Sequence, residues 1–187
     1  MGKIMQENVE IEYLRITNSS HPLVEKIKNT YENSFPEVER RDFQLVKELI
    51  DYSPLFKAYA FIKEHDYIGF LTAWYFDEFR YIEHFAIDST IRNGGIGGKA
   101  LAAFITQDDL PIILEVELPE DEMSRRRIGF YERFGFKLNS DVYYQPPYRK
   151  GEEKLEMRLM SLGDIDQGKD AFEKMKGLIY THVYGVK

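Results

Sequence analysis

Residues 92–99 combine four glycines with two cationic side chains. They follow the apolar run at 81–87, where a strand should pass into a helix, and they read Arg92, Asn93, Gly94, Gly95, Ile96, Gly97, Gly98 and Lys99. Residues without a Cβ let successive backbone N–H groups converge on an anion, and the N-terminus of the following helix adds a partial positive charge. The segment therefore predicts a turn that binds the phosphates of a ligand.

Two known phosphate-binding motifs fit this turn poorly. A P-loop needs Gly-x-x-x-x-Gly-Lys-Ser/Thr, but Asn93 stands at the first glycine and Ala100 replaces the metal-binding hydroxyl. A dinucleotide fingerprint, Gly-x-Gly-x-x-Gly/Ala, is met by Gly95, Gly97 and Ala100, yet residues 88–94 separate the strand from the first glycine and no second mononucleotide-binding half follows. Magnesium nucleotide chemistry is not indicated, and a small NAD-dependent oxidoreductase stays open as an alternative.

A third motif, Arg/Gln-x-x-Gly-x-Gly/Ala, is met by Arg92, Gly95 and Gly97. One strand later, residues 130–136 read Phe-Tyr-Glu-Arg-Phe-Gly-Phe. In this order and at this separation the two motifs resemble those of the GNAT family, the GCN5-related N-acetyltransferases, over roughly residues 10–160. The resemblance implies an α/β fold with a mixed, mostly antiparallel central sheet and helices on both faces. It also implies that acetyl-CoA wedges between a splayed fourth and fifth strand.

The resemblance assigns acetyl-CoA as the cosubstrate and distributes it over two segments. Backbone N–H groups of residues 93–98 would bind the pyrophosphate, with the charges of Arg92 and Lys99 beside it. The main chain of Phe85, Ala86 and Ile87 would pair with the pantetheine arm as with an added strand. The family often has an asparagine after the fifth strand, but residues 118–121 lack one, so that contact is not carried over.

Acetyl transfer from a thioester to an amine needs a proton acceptor for the amine and a proton donor for the departing thiolate. Glu83 interrupts an apolar strand, and its burial would raise its pKa toward the range of a useful base. Strand alternation predicts that His84 faces the opposite side and is a buried, hydrogen-bonded residue. By resemblance, Tyr131 lies near the thioester sulfur and protonates the thiolate. A satisfied edge carboxylate and simple packing are the structural alternatives for Glu83 and Tyr131.

Three further residues are candidates for contact with the acceptor. Glu115 and Glu117 share one face of the next strand, where they would hold a cationic substrate or replace Glu83 as the base. Tyr144 belongs to an aromatic and proline-rich loop that would wall a substrate pocket. A solvated rim for Glu117 and surface packing for Tyr144 are equally consistent with the sequence.

Composition limits the classes of function. The 187 residues include 25 basic and 32 acidic side chains, and the net charge of −7 disfavours nucleic acid and anionic membranes as partners. The absence of cysteine excludes a disulfide, a thiolate zinc site and a cysteine acyl-enzyme, and no metal is expected. We expect a cytoplasmic monomer or homodimer made of one domain, residues 1–187, with a core at about 10–162 and a helical tail at 163–187.

Hydrophobic periodicity supplies the elements around these motifs. Two helices follow from Val24, Ile27 and Tyr31 and from Phe43, Val46 and Ile50, and further helices are predicted over 95–105, 123–134 and 164–180. Strands are predicted over 11–16, 56–62, 67–76, 81–87, 112–117, 136–144 and 155–162. The sequence as a whole predicts direct acetyl transfer, in a ternary complex, to a primary amine of a small molecule or peptide. A non-catalytic acyl-CoA-binding sensor is the remaining alternative besides the oxidoreductase.

Overall fold

The computed structural model describes residues 10–91, 94–165 and 168–186. In these residues the strands are β1 Glu12–Ile16, β2 Phe56–Lys63, β3 Asp66–Tyr75, β4 Arg80–Ile87, β5 Ile112–Glu117, β6 Lys137–Leu138, β7 Tyr143–Gln145 and β8 Leu155–Leu162. The α-helices are α1 Leu23–Ser34, α2 Phe43–Tyr52, α3 Ile96–Ile105, α4 Glu122–Glu132 and α5 Lys169–His182. Short 3₁₀ helices at Glu37–Glu39 and Ser89–Ile91 lie before α2 and before α3.

The strands form one mixed sheet. Their order is β1-β2-β3-β4-β5-β8-β6, and β7 also pairs with β8. β4 and β5 are parallel, whereas the other pairs are antiparallel. A parallel pair needs a crossover connection, and α3 provides it. The mostly antiparallel sheet with helices on both faces confirms the predicted fold class, and it differs from the doubly wound parallel sheet of dinucleotide-binding folds.

A separate apolar core lies on each face of the sheet. Alternation along β2 shows the division, because Ala58 and Ala60 pack with α1, α2 and α5, whereas Tyr59 and Phe61 pack with α3 and α4. The residues whose helical spacing was identified in the sequence all lie in the core with α1, α2 and α5: Val24, Ile27, Tyr31, Phe43, Val46 and Ile50. Burial of these stripes therefore fixes which side of the sheet each helix covers.

The structure corrects two predicted elements. The strand expected at 136–144 is broken into β6 and β7, because the side-chain oxygen of Asn139 accepts a hydrogen bond from the backbone N–H of Asp141 at 2.7 Å. Such a local turn removes backbone groups from the strand ladder. The last helix begins at Lys169 instead of Asp164 and continues to His182, with Phe172 and Ile179 buried.

Candidate active site

The parallel pair β4 and β5 separates partway along its length. Pairing joins Arg80 to Ile112, Tyr81 to Ile113 and Ile82 to Leu114, after which β4 continues to Ile87 and β5 to Glu117 without further register between them. A cavity of about 300 Å³ lies at this opening, and we call it the strand cavity. Its lining includes Glu39, Glu83, His84, Phe85, Ala86, Ile87, Glu115, Arg127, Phe130 and Tyr131. The opening brings six of the predicted site residues to one place: Glu83, Phe85, Ala86, Ile87, Glu115 and Tyr131.

The glycine turn forms a second cavity next to the first. Gly94 and Gly95 both have a φ of +71°, a conformation that favours glycine, and Gly95 caps the N-terminus of α3. A Cβ on Gly98 would lie 3.1 Å from the ring of Phe134, so a glycine there lets α3 approach this ring closely. The turn cavity, of about 680 Å³, is lined by Ile87, Gly94, Gly95, Ile96, Gly97, Gly98, Arg126, Phe130, Arg133 and Phe134.

The two cavities share Ile87 and Phe130 in their linings. An extended ligand can therefore lie along the end of β4, with one end at the N-terminus of α3 and the other between the strands. The predicted contacts Arg92 and Asn93 lie outside the described residues. Lys99 is exposed on α3 and is absent from the lining of both cavities.

Cations reach the turn cavity from α4. Arg126 and Arg133 line it together with Phe130, at positions i, i+4 and i+7 of one helical face. Arg125 instead donates to the carbonyls of Pro119 and Glu120. Arg133 was not predicted from the sequence, although its helical spacing from Phe130 could have revealed it.

Glu83 is a buried carboxylate whose two oxygens are both occupied. The guanidinium of Arg41 forms an ion pair with Oε1, and Tyr148 donates to the same oxygen at 2.9 Å. Trp74 Nε1 donates to Oε2 at 2.7 Å. Burial opposes ionisation, but the charge of Arg41 and these hydrogen bonds outweigh it, so the pKa of Glu83 is lowered. The expected rise in this pKa is therefore wrong, because the sequence did not reveal Arg41 as a partner.

A β-bulge places Glu83 and His84 on the same side of the sheet. Ala73 of β3 pairs with Ile82 and Thr72 pairs with His84, which leaves Glu83 as an additional residue in β4. The prediction that the two side chains face opposite sides is therefore wrong. His84 is buried as expected, and its Nε2 lies 3.1 Å from the carbonyl oxygen of Glu39. Burial lowers the pKa of His84.

Glu115 lies on β5 in a cluster of neutral hydroxyl and amide groups. Gln145 Nε2 and Tyr184 OH donate to Oε2 at 2.7 and 2.9 Å, and Tyr143 donates to Oε1. Burial raises the pKa of Glu115 to about 7, although the hydrogen bonds from Tyr143, Tyr184 and their neighbours oppose the rise. A carboxyl group with this pKa exchanges a proton near neutral pH, as a general base must.

Tyr131 lies on α4 and lines the strand cavity with Glu115. It is 8% exposed, and its ring contacts those of Phe130 and Phe136 at centroid distances of 5.2 and 5.5 Å. Burial raises the pKa of Tyr131 to about 12, against a smaller opposing effect of Arg127. The phenol therefore keeps its proton at neutral pH and can donate a hydrogen bond into the cavity.

The other predicted acceptor contacts lie at the edge of the site. Glu117 forms an ion pair with Arg127 at 2.7 Å, on the rim of the strand cavity. Tyr144 is 44% exposed and is not among the residues that line this cavity. Its carbonyl oxygen accepts a hydrogen bond from Tyr180 of α5.

An arginine joins the two chain segments that contact Glu83. Arg149, in the loop between β7 and β8, donates to the carbonyls of Glu37 and Arg40 at 2.6 and 3.1 Å. It also donates to a carboxylate oxygen of Asp42 at 2.7 Å. These bonds hold the loop against the segment between α1 and α2. The loop contributes Tyr148 and the segment contributes Arg41, and both side chains contact Glu83.

In the described residues, no group of three or more histidine, cysteine, aspartate or glutamate side chains is arranged to hold a metal ion. None of the helices in the same part of the chain has the length and apolar character needed to cross a membrane.

Comparison with known proteins identifies relatives of the chain. The family model described as Acetyltransferase (GNAT) domain matches residues 56–138. A solved structure from Bacteroides thetaiotaomicron, assigned to the GNAT acetyltransferases, is 41% identical, covers 94% of this chain and 99% of its own, and has a TM-score of 0.88. YjbC of Bacillus subtilis, whose name describes it as an acetyltransferase, is 33% identical over 72 residues, so the match spans 37% of each protein.

A more distant structure was solved with a ligand. Arabidopsis thaliana Naa50 in complex with the bisubstrate analogue CoA-Ac-MVNAL has a TM-score of 0.57 and 18% identity, and the match covers 83% of this chain and all of that one. At this identity the likeness concerns the fold.

Proposed function

The chain belongs to the GNAT family of acetyltransferases, and we propose that it transfers an acetyl group from acetyl-CoA to a primary amine. Transfer is direct, within a ternary complex of protein, coenzyme and acceptor. The observation that carries the proposal is the presence of Glu115 and Tyr131 in one cavity between β4 and β5. The first has a pKa near neutrality, and the second holds its proton at neutral pH. The pair supplies the base and the acid that the reaction needs.

The two connected cavities support a placement of the coenzyme. Its pyrophosphate lies at Gly94–Gly98, where the N-terminus of α3 offers backbone N–H groups, and Arg126 and Arg133 add positive charge. Its pantetheine arm follows Phe85, Ala86 and Ile87, and its thioester reaches Tyr131. Arg92, Asn93 and Lys99 remain predicted contacts of the phosphates.

The proton transfers follow from this placement. Glu115 takes a proton from the acceptor amine, whose nitrogen attacks the carbonyl carbon of the thioester. When the tetrahedral intermediate collapses, the carbon–sulfur bond breaks and Tyr131 donates its proton to the departing thiolate. As the amide forms, its nitrogen releases its second proton to solvent, Tyr131 regains a proton from solvent and Glu115 releases the proton it took, so transfer to a protonated amine yields one proton per cycle.

Glu83 has a different part in this proposal from the one that the sequence suggested. Its lowered pKa and its ion pair with Arg41 make it a poor proton acceptor near neutral pH. It serves instead to hold Arg41, Trp74 and Tyr148 around the acceptor side of the cavity. Glu115, the alternative base in the sequence, takes the catalytic role.

The charges of the strand cavity favour a cationic acceptor. Its lining carries Glu39, Glu83 and Glu115, and this negative charge is offset in part by Arg127 and by Arg41, the partner of Glu83. A protonated amine is attracted to such a site before it loses its proton. The acceptor is therefore a primary amine of a small molecule or of a peptide terminus, and Glu117 on the rim contributes to its attraction.

Two measurements test the proposal. Calorimetry should detect binding of acetyl-CoA and no comparable binding of NADH. A panel of polyamines, amino acid amines and short peptides, assayed for released coenzyme thiol, should contain acceptors that increase thiol release above hydrolysis. Tight binding of acetyl-CoA without transfer to any amine would favour the non-catalytic sensor.

A further inference from the structure

The segment that follows α5 contacts the surroundings of both buried carboxylates. Val183 is 4% exposed, and its carbonyl oxygen accepts from Arg41 Nη2 at 3.2 Å. The next residue, Tyr184, donates to Glu115 Oε2 at 2.9 Å. Val183 thus contacts Arg41, the partner of Glu83, and Tyr184 contacts Glu115 directly. These contacts tie the segment after α5 to the groups that surround the strand cavity.

The hydrogen bonds of Tyr184 fix the direction of its proton. Gln145 Nε2 lies 2.7 Å from Glu115 Oε2 and 2.9 Å from Tyr184 OH, and a side-chain amide nitrogen carries two protons. Gln145 can therefore donate to both oxygens at once. The Tyr184 oxygen then acts as the acceptor toward Gln145, and its own proton is directed at Glu115 Oε2, which at 2.9 Å is a closer acceptor than Tyr81 OH. Tyr81 OH, at 3.3 Å from Tyr184 OH, is a further neighbour of this hydroxyl.

We propose that Tyr184 is a positioning residue for the reaction: its hydroxyl, oriented by Gln145, donates to Glu115 Oε2 and stabilises the ionised carboxylate that accepts the proton of the amine. The proposal rests on the function proposed above for Glu115. It gives the C-terminal segment a part in catalysis without contact between that segment and either substrate.

The titratable and charged groups around Glu115 determine how far a change at Tyr184 shifts the pKa of Glu115. Tyrosines face it from β4, β7, the β7–β8 loop, α5 and the segment after α5, namely Tyr81, Tyr143, Tyr148, Tyr180 and Tyr184. Charged groups at the same cavity are Glu39, Glu83 with its partner Arg41, and Arg127. Burial raises the pKa of each of these tyrosines, so they are neutral donors near pH 7.

The test compares two variants that each lose a single hydroxyl group. Tyr184→Phe removes the donor to Glu115, whereas Tyr180→Phe, in α5, removes the donor to the Tyr144 carbonyl. Carboxyl-labelled glutamate in the full chain is titrated by carbon NMR, and the Glu115 signal is assigned by its loss in Glu115→Gln. A hydrogen bond that favours the charged form lowers a pKa, so Tyr184→Phe should raise that of Glu115 by about one unit. Tyr180→Phe should change it far less, because the Tyr180 hydroxyl is neutral near pH 7 and donates to the Tyr144 carbonyl.

A second variant and a kinetic measurement complete the test. Gln145→Met removes one donor from Oε2 and the group that orients Tyr184, so it should shift the Glu115 titration in the same direction. The acidic limb of the pH profile of kcat/KM should move with the NMR titration in Tyr184→Phe. A merely structural role for Tyr184 would lower activity or stability at all pH values without moving this limb.

The outcomes separate the two proposals. An unchanged Glu115 titration in Tyr184→Phe overturns the inference about Tyr184, whatever the kinetics show. If the titration shifts but Glu115→Gln retains the acidic limb, the function proposed for Glu115 fails, while the effect of Tyr184 on its ionisation stands.

Discussion

Replacement of Glu115 by glutamine removes the proposed base while it keeps the size of the side chain. Because the pKa of Glu115 is about 7, roughly half of the molecules carry the carboxylate at pH 7. The ionised fraction then falls about tenfold for each pH unit further below the pKa. The activity of the unmodified protein should follow this fraction. The glutamine variant should retain only the rate of transfer that the bound coenzyme and acceptor reach without a base.

The assay must separate this ionisation from that of the acceptor. A lysine-like amine has a pKa near ~10.4, so its neutral fraction also rises with pH. The ratio of kcat/KM between the unmodified protein and Glu115→Gln, measured at each pH by thiol release, cancels that contribution. We expect the ratio to rise about tenfold per unit below pH ~6.5 and to level off above pH ~8, at about 10²–10⁴.

The same ratio of kcat/KM provides a control and a result that would refute the role of Glu115. Glu156 is an exposed glutamate on β8 that pairs with Arg158, and Glu156→Gln should give a ratio near one throughout. A ratio for Glu115→Gln that stays constant with pH would show that Glu115 does not exchange the catalytic proton.

The same variant tests the energetic cost of the buried carboxylate. Burial raises the pKa of Glu115 from 4.5 to about 7, so the folded chain holds this proton more tightly than the unfolded chain. The resulting stabilisation is fully present below about pH 4.5 and is lost as the pH rises through about 7. At 1.36 kcal/mol per pKa unit it amounts to about 3 kcal/mol. Urea unfolding at pH ~5 and ~8 should show this loss in the unmodified protein and little of it in Glu115→Gln.

Three further substitutions address the remaining parts of the site. Tyr131→Phe should lower kcat about 10²-fold, at the low end for a general acid because a thiolate leaves readily, with an unchanged calorimetric Kd for acetyl-CoA; normal kcat would remove Tyr131 from the mechanism. Gly97→Leu places a side chain beside Ile87, whose Cγ1 would lie 3.5 Å from the new Cβ, and should abolish acetyl-CoA binding in calorimetry. Full affinity would remove the glycine turn from the coenzyme site. Glu83→Gln leaves the charge of Arg41 buried without its partner and should cost about 3–5 kcal/mol in urea unfolding, yet it should retain the acidic limb. Loss of that limb would identify Glu83 as the base.

The sequence was sufficient to predict features that depend on local pattern. The glycines at 94–98 predict a turn because glycine readily adopts a positive φ. In the structure two of them do so. The helical stripes of α1 and α2 predict burial because their spacing matches one helical face. The separation of β4 and β5 was expected from the family resemblance that the two motifs carry.

Features that depend on distant partners could not be predicted. The ionisation of Glu83 is decided by Arg41, which lies 42 residues earlier, and that of Glu115 is affected by Tyr184, which lies 69 residues later. Strand periodicity wrongly placed Glu83 and His84 on opposite faces, because a bulge adds one residue to β4 without a local signal. Burial alone suggests the same pKa shift for both glutamates, whereas their partners separate the two.

Under the proposed function, the contacts of Arg149 make acceptor preference depend on two segments instead of a single loop. A change in length or sequence at 146–151 alters how Arg149 meets 37–42, and through Tyr148 and Arg41 it reaches Glu83 from two directions. Engineering a new selectivity therefore requires libraries in which both segments vary jointly. Transfer of either segment alone from a relative would disturb the contacts of the Glu83 carboxylate before it changed the shape of the cavity entrance.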